Sequence, residues 1–225
     1  MLPKVIIFDN ISIDGRIDGF SIDNELYYHV ANEWSLDAVL MSNNTLLKKF
    51  QLKHSNEGTD CKVREVNEID NRPLLVVPDS QGRIRIWDDV LETHFFGDIL
   101  VLCSRSTPQE YLDFLEEKYI KYMVIGYDEV NLGTALEELN LQFGVKNLRV
   151  ESGGKLNGLL LRDDLVDEVC VLIYPNLVGG ISPDSIYSAP DLNSKEGVLD
   201  LKLLKMEKLK NEIILLHYRV MKYQF

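Results

Sequence analysis

The order of its apolar runs predicts an α/β protein. A mostly parallel central sheet is flanked by helices on both faces, and an antiparallel hairpin closes the chain. Three observations carry this reading. Strand-like and helix-like segments alternate through most of the chain, as in consecutive βαβ units. The strand segments are continuous apolar runs such as Val5-Ile6-Ile7-Phe8, the pattern of strands buried on both faces. The last two runs, Val198 to Met206 and Glu212 to Tyr223, are strand-like and meet at Leu209-Lys210-Asn211, as the arms of a hairpin do.

Each element has a local reason. Lys4 to Phe8 is the first strand, and Asn10 to Phe20 a loop with turn pairs at Asp14-Gly15 and Asp18-Gly19. Asp23 is placed to cap a helix from Asn24 to Trp34. Asp37 to Met41 is the second strand, and Ser42 and Asn43 are caps for a helix through Leu46, Leu47 and Phe50. Lys53 to Asn71 is polar and aperiodic, a surface excursion. Pro73 to Val77 and Arg83 to Ile86 read as strands around the turn Asp79-Ser80-Gln81-Gly82. Ile99 to Cys103 is a strand, and Pro108 starts a helix to Tyr119 from the first helical position. Tyr122 to Gly126 is a strand, Leu132 to Phe143 a helix and Leu148 to Val150 a strand. A helix opening at a Gly-Gly pair, a strand from Leu165 to Tyr174 and a turn at Gly179-Gly180 follow.

Composition narrows the function. The 225 residues show no shift that marks a linker, so a single domain over 1–225 is expected. A net charge of −12 and a pI near 4.8 argue against a nucleic-acid partner. The apolar run ending at Phe8 is too short for a signal peptide core or a membrane span. Cys61, Cys103 and Cys170 are far apart, and the last two lie in apolar strands as small buried hydrophobes, which points to a reducing, cytoplasmic compartment. The four histidines show no metal-ligand spacing, and no metal site is expected.

The segment Val150-Glu151-Ser152-Gly153-Gly154-Lys155-Leu156 carries the sharpest chemical signal. A strand end turns through two glycines into a helix whose first amides have no intrahelical acceptor. Those amides and the positive end of the helix dipole suit a phosphate or pyrophosphate. The spacing is not Gly-x-Gly-x-x-Gly, and a tight strand-to-helix connection is the plain alternative. Ligands of open α/β sheets bind beyond the carboxyl ends of the strands, where Asn10, Ser42, Asp79, Gly126 and Glu151 fall.

Several segments, in order, resemble the riboflavin-biosynthesis pyrimidine reductases, both the archaeal stand-alone enzyme and the C-terminal reductase domain of the bacterial bifunctional deaminase/reductase. Ser12-Ile13-Asp14-Gly15-Arg16-Ile17 is similar to the family's Ser-Leu-Asp-Gly-Lys-Ile loop. Asp37-Ala38-Val39-Leu40-Met41-Ser42-Asn43-Asn44-Thr45 resembles Asp-Ala-x-Leu-Val-Gly-x-x-Thr. Arg72-Pro73, then Asp79-Ser80 and Arg83, follow its Arg-Pro strand, Asp-Ser turn and Arg. Glu151-Ser152-Gly153-Gly154 resembles Glu-Gly-Gly-Gly, and Leu165-Val166-Asp167-Glu168, Pro175 and Gly179-Gly180 follow as in the family.

The resemblance implies a dihydrofolate-reductase-like fold and NADPH-dependent hydride transfer to C1′ of a ribosylamino-pyrimidine phosphate. It implies cofactor contacts from Ser42, Thr45, Ser80, Arg83, Gly126, Gly153, Gly154, Lys155 and Leu156, with Ser80 and Arg83 selecting the 2′-phosphate. Glu151 and Asp14 are the implied catalytic residues, Glu151 meeting substrate hydroxyls or its amino group and Asp14 shaping the substrate loop. A homodimer paired through its sheets is implied as well. Phe8, Glu33 and Lys49 depart from the family pattern at substrate-side positions. A pterin, carbonyl or imine substrate, or a non-catalytic binding module on the same fold, therefore stands as the alternative. Plain structural roles also stand open: Asp14-Gly15 as a turn, Ser42 and Thr45 as helix caps, Arg83 as a solvated side chain. Asp167 and Glu168 point to opposite faces of a strand and cannot share one site. Trp34 and Trp87 read as packing residues.

Overall fold

The computed structural model describes residues 1–55, 72–93, 95–181, 185–192, 194 and 197–222, with the backbone alone for 51–55. Most of the expected polar excursion, with Cys61, lies outside the described residues, as do His94 and Tyr223. In chain order the elements are β1 (Lys4–Ser12), α1 (Asn24–Ala31), β2 (Ala38–Met41), α2 (Asn43–Ser55), β3 (Leu74–Pro78), α3 (Trp87–Glu92), β4 (Asp98–Cys103), α4 (Gln109–Glu117), β5 (Lys121–Val124), α5 (Leu132–Phe143), β6 (Asn147–Glu151), α6 (Gly154–Arg162), β7 (Glu168–Tyr174), β8 (Leu201–Lys208) and β9 (Ile214–Val220). They fall into two compact units, Met1–Pro3 with Leu36–Leu148, and Lys4–Ser35 with Arg149–Phe225.

In the first unit the strands lie in the order β5-β4-β3-β2, and every pair is parallel. Residues two apart on a strand share a face. Val39, Met41, Leu75, Val77, Ile99, Val101 and Cys103 therefore form one apolar layer, covered by Leu46 of α2, Trp87 and Val90 of α3, and Tyr111 and Leu115 of α4. The alternate residues Leu40, Val76, Leu100 and Leu102 are buried too, which is why the strands read as unbroken apolar runs. Each such side chain contributes about 1.5–3 kcal/mol on burial. Helix α5 matches its expected bounds because both ends are marked. Asn131 accepts from the Thr134 amide at 2.9 Å, and Gly144 stops the helix in the left-handed conformation.

Expectations fail at several points in this unit: β5 ends at Val124, which leaves Gly126 in the turn after it, and α4 ends at Glu117. Arg83 to Ile86 is not a strand, because their first two amides are taken by the Asp79 carboxylate and cannot join a ladder. The chain instead enters α3 at Trp87, and Ile84 and Trp87, three apart, are both buried. Pro108 occupies the cap of α4 rather than its first helical position.

In the second unit the order is β6-β1-β7-β9-β8. β1 runs parallel to β7, and β9 runs antiparallel to both β7 and β8. The expected hairpin is present, turning through Lys210–Glu212 with Asn211 at φ 57. Asp23 caps α1, accepting from the Leu26 amide at 3.0 Å, but the helix stops at Ala31, short of Trp34. β1 runs on to Ser12, so Asn10 lies inside a strand rather than in a loop. Its last residues, Asn10, Ile11 and Ser12, pair with Leu172, Ile173 and Tyr174 at the end of the seven-residue β7. The strand expected from Leu165 starts only at Glu168, because the Leu165 amide still donates to Leu160 O at the end of α6. Phe8, Cys170, Leu172, Tyr174 and Leu215 pack with Leu26, Tyr27, Val30 and Ala31 of α1 in the core of this unit.

Candidate active site

The expected site residues fall on both units. On the first, Ser42 follows β2 and caps α2, its hydroxyl accepting from the Thr45 amide at 3.3 Å and lying 2.9 Å from the Thr45 hydroxyl. No acidic residue occupies the first turn of α2. Arg83 is exposed and donates from Nη1 to Asn44 Oδ1 at 3.2 Å, which brings its guanidinium to that same turn. Cation and helix N-terminus thus share one polarity, the arrangement an anion stabilises.

Three loops at the carboxyl ends of β3, β4 and β5 are tied by hydroxyl groups. Thr107 Oγ1 donates to the Ser80 carbonyl at 2.8 Å, and the Val130 amide donates to Ser80 Oγ at 3.2 Å. Ser104 and Ser106 hydroxyls both donate to the Asp128 carbonyl. Gly126 has φ +94, and a Cβ there would lie 2.1 Å from Glu129 O. The turn itself therefore demands a glycine. Beneath these loops Asp79 is fully buried, a residue the sequence placed only at a strand end. Its Oδ2 accepts from the amides of Arg83 at 2.7 Å and Ile84 at 2.9 Å.

On the second unit, Glu151 ends β6 and is buried against Arg149. Arg149 Nε and Nη2 reach the same Oε1 at 2.9 and 2.5 Å, and Nη1 donates to the Ala31 carbonyl at 2.9 Å. The two residues share a face because they are two apart on a strand. Burial, and next the negative charge of Glu151, hold the Tyr27 phenol far above its ordinary range.

Asp14 is exposed and behaves differently. Its carboxylate accepts from Ser12 Oγ at 2.6 Å and from the amides of Gly179 at 2.7 Å and Val178 at 3.1 Å. These bonds, that of Ser12 foremost, lower its pKa to about 2. Asp14 clamps its own loop to the Gly179-Gly180 turn.

Helix α6 opens at Gly153 with no side-chain cap, so its first amides have no capping side chain. Gly154 is needed for a different reason from the one its motif suggests. A Cβ there would lie 2.3 Å from Ser185 O, and the Ser188 amide donates to Gly154 O at 2.9 Å. Buried Asn157 donates from Nδ2 to Asp9 Oδ2 at 2.8 Å and to Ile186 O at 3.0 Å. Residues 185–189 therefore lie directly along α6. Of the other expected contacts on this helix, Lys155 is exposed and Leu156 buried.

Sequence alone assigned no role to Arg149 and Asn157, and named Asp79 only as a turn residue at a strand end. The period-two spacing of Arg149 and Glu151, and the Asp-x-x-Gly turn at Asp79, were the signals available for two of them. Phe8 is a core residue, stacked on Tyr27 with centroids 4.7 Å apart, and Glu33 pairs with Lys205 at 3.3 Å. Cys103 and Cys170 are buried, and burial above all pushes both thiols up to about 12. Among the described residues no His, Cys, Asp and Glu cluster could hold a metal ion, and no helix is long and apolar enough to cross a membrane.

The family model of the RibD C-terminal domain matches residues 3–215. The chain belongs to that family. It is 25% identical over 212 residues to the 2,5-diamino-6-ribosylamino-4(3H)-pyrimidinone 5′-phosphate reductase of Aquifex aeolicus, covering 89% of each chain. Its identity to the enzyme of the same name from Archaeoglobus fulgidus is 28%, over 80% of this chain and 84% of that one. Among solved structures, a pyrimidine reductase-like protein of Corynebacterium diphtheriae superposes with a TM-score of 0.73 at 16% identity, covering 98% of this chain and 93% of that one. RibD of Acinetobacter baumannii gives 0.69 at 22%, covering 98% of this chain, which spans 58% of the RibD chain. These likenesses fix the fold as the dihydrofolate-reductase-like one of the RibD reductases, as the ordered motifs implied.

Proposed function

We propose that this chain is an NADPH-dependent reductase of the riboflavin pathway, delivering hydride to ribose C1′ of 2,5-diamino-6-ribosylamino-4(3H)-pyrimidinone 5′-phosphate. The observation that carries this is the extent of the likeness: one reductase family over residues 3–215, and relatives bearing that enzyme's name over nearly their whole length.

Each unit, taken by itself, offers groups that suit a phosphate of a phosphorylated dinucleotide. Arg83 and Ser80 take the 2′-phosphate, with the Ser42 and Thr45 hydroxyls and the acid-free first turn of α2 nearby. The uncapped amides of Gly154, Lys155 and Leu156 take the pyrophosphate after Gly153. The bound nicotinamide supplies the hydride. The chain's own part is placement. Arg149 fixes the direction in which Glu151 meets the substrate, and Asp14 shapes the substrate loop by holding it to the Gly179 turn. Phe8 and Glu33, which depart from the family pattern, have local structural partners within the second unit.

Following oxidation of NADPH on addition of the pyrimidine phosphate tests this reading. Turnover is expected; turnover with dihydrofolate alone would move the substrate to the pterins, and no turnover with either would leave a binding module. The same reading makes the chain a single cytoplasmic domain that pairs with a second copy. In its support, the outermost strand of the second unit, β8, exposes Leu201, Leu203, Leu204 and Met206. Sedimentation as a monomer at micromolar concentration would count against the dimer.

A further inference from the structure

We infer that Asp79 is a positioning residue, and that it sets the preference for a phosphorylated dinucleotide by fixing the direction of Arg83. The inference rests on the cofactor reading above. Arg83 is exposed, and a long exposed arginine has many rotamers to lose when it binds a phosphate. Here its backbone is held on both sides. The amides of Arg83 and Ile84 share one oxygen of the buried Asp79 carboxylate, and the Ile84 side chain is sunk in the core of the first unit. Amide hydrogen bonds to an ionised carboxylate are stronger than neutral ones.

The other carboxylate oxygen faces Asn43, whose Nδ2 lies 3.4 Å from Oδ1. The next residue, Asn44, receives the Arg83 guanidinium. One carboxylate thus links the backbone of Arg83 to the turn of α2 on which its side chain rests. The Asp79 backbone is fixed in turn, its amide donating to Leu102 O at 2.9 Å and its carbonyl accepting from the Gly82 amide at 3.0 Å. Ser80, between them, is held by Thr107 and Val130. Every fixed point belongs to the same unit, so the hold on the Arg83 backbone needs no ligand. Pre-set geometry lowers the ordering cost of binding, and only a ligand with a phosphate at that point gains from it.

Titration of NADPH and NADH into the wild type and the variants Asp79→Ala, Asp79→Asn, Arg83→Ala and Asp79→Ala/Arg83→Ala tests the inference. Asp79→Ala is expected to weaken NADPH about tenfold, the scale of one charge-assisted contact, and to leave NADH unchanged. Asp79→Asn keeps a carbonyl oxygen for the two amides and retains most of the preference. The double variant matches Arg83→Ala, because Asp79 acts through Arg83. Equal weakening of both dinucleotides by Asp79→Ala, or additive losses in the double variant, would overturn the proposal. A wild type that does not distinguish the two dinucleotides, or an Arg83→Ala variant that still does, would overturn the cofactor reading instead. If Asp79→Ala does not fold, Asn43→Ala cuts the link to α2 at a half-buried side chain. Its NADPH preference is expected to fall about threefold, and an unchanged preference overturns the proposal.

Discussion

The loop after β3 and the turn after β6 both carry residues that the sequence pointed to, and they use them in opposite ways. After β3 a buried carboxylate, Asp79, holds the backbone, and the side chain of Arg83 is left at the surface. After β6 the pointed-to residues are themselves part of the support. Gly154 admits residues 185–189, and Glu151 is locked to Arg149. The contrast teaches that a residue at a strand end serves its own chain first. Whether it also serves a ligand depends on which of its atoms the chain leaves over.

Removing the support under Glu151 has the largest expected effect. Arg149→Met leaves a buried carboxylate without its cation, and urea unfolding should show a loss of about 3–5 kcal/mol. Adding Glu151→Gln should recover part of it; a neutral Arg149→Met would show the pair to be dispensable. Gly154→Ala comes next. Its Cβ would meet a backbone oxygen, so a loss of about 1–3 kcal/mol is expected although alanine is the better helix former. At Gly153 the nearest heavy atom to a Cβ is Ile17 Cδ1 at 3.8 Å, and Gly153→Ala should stay within about 0.5 kcal/mol. Equal effects at the two glycines would mean that residues 185–189 do not select Gly154.

Asp14 makes the Gly179 clamp respond to pH. Its folded pKa is lowered from 3.8 to about 2, so its contribution to stability is complete above the unfolded value and is lost as pH falls toward 2. Asp14→Asn should remove that part of the acid dependence, read as a flatter unfolding midpoint between pH 5 and 2. An unaltered profile would mean that the Gly179 clamp is not formed. The smallest effect belongs to Lys205→Ala. Its ion pair with Glu33 is largely exposed, and less than about 1 kcal/mol is at stake in thermal unfolding.

Much of this was legible because local chemistry and global fold agreed. The Asp23 and Asn131 caps, the Gly144 stop and the turn between β8 and β9 each mark an element end in the sequence. Helix α3 was not legible, since six residues are too few to show a helical period, and Arg83 to Ile86 look β-like until Asp79 takes their amides. The end of β1 was hidden by the polar Asn10, which takes its place from the register with β7. At the candidate site the motif residues were legible and their supports were not. Arg149 is known only once a strand puts it on the face of Glu151, and the need for Gly154 arises from residues 185–189, more than thirty positions along the chain.

Turnover of the pyrimidine phosphate with NADPH and with NADH at equal concentration asks whether the chain is a reductase that draws on a phosphorylated dinucleotide. Reduction of the ribose C1′ with NADPH and a clear loss of kcat/KM when NADH replaces it are expected. Equal kcat/KM with the two dinucleotides would contradict the proposed function, and so would a folded protein that reduces nothing.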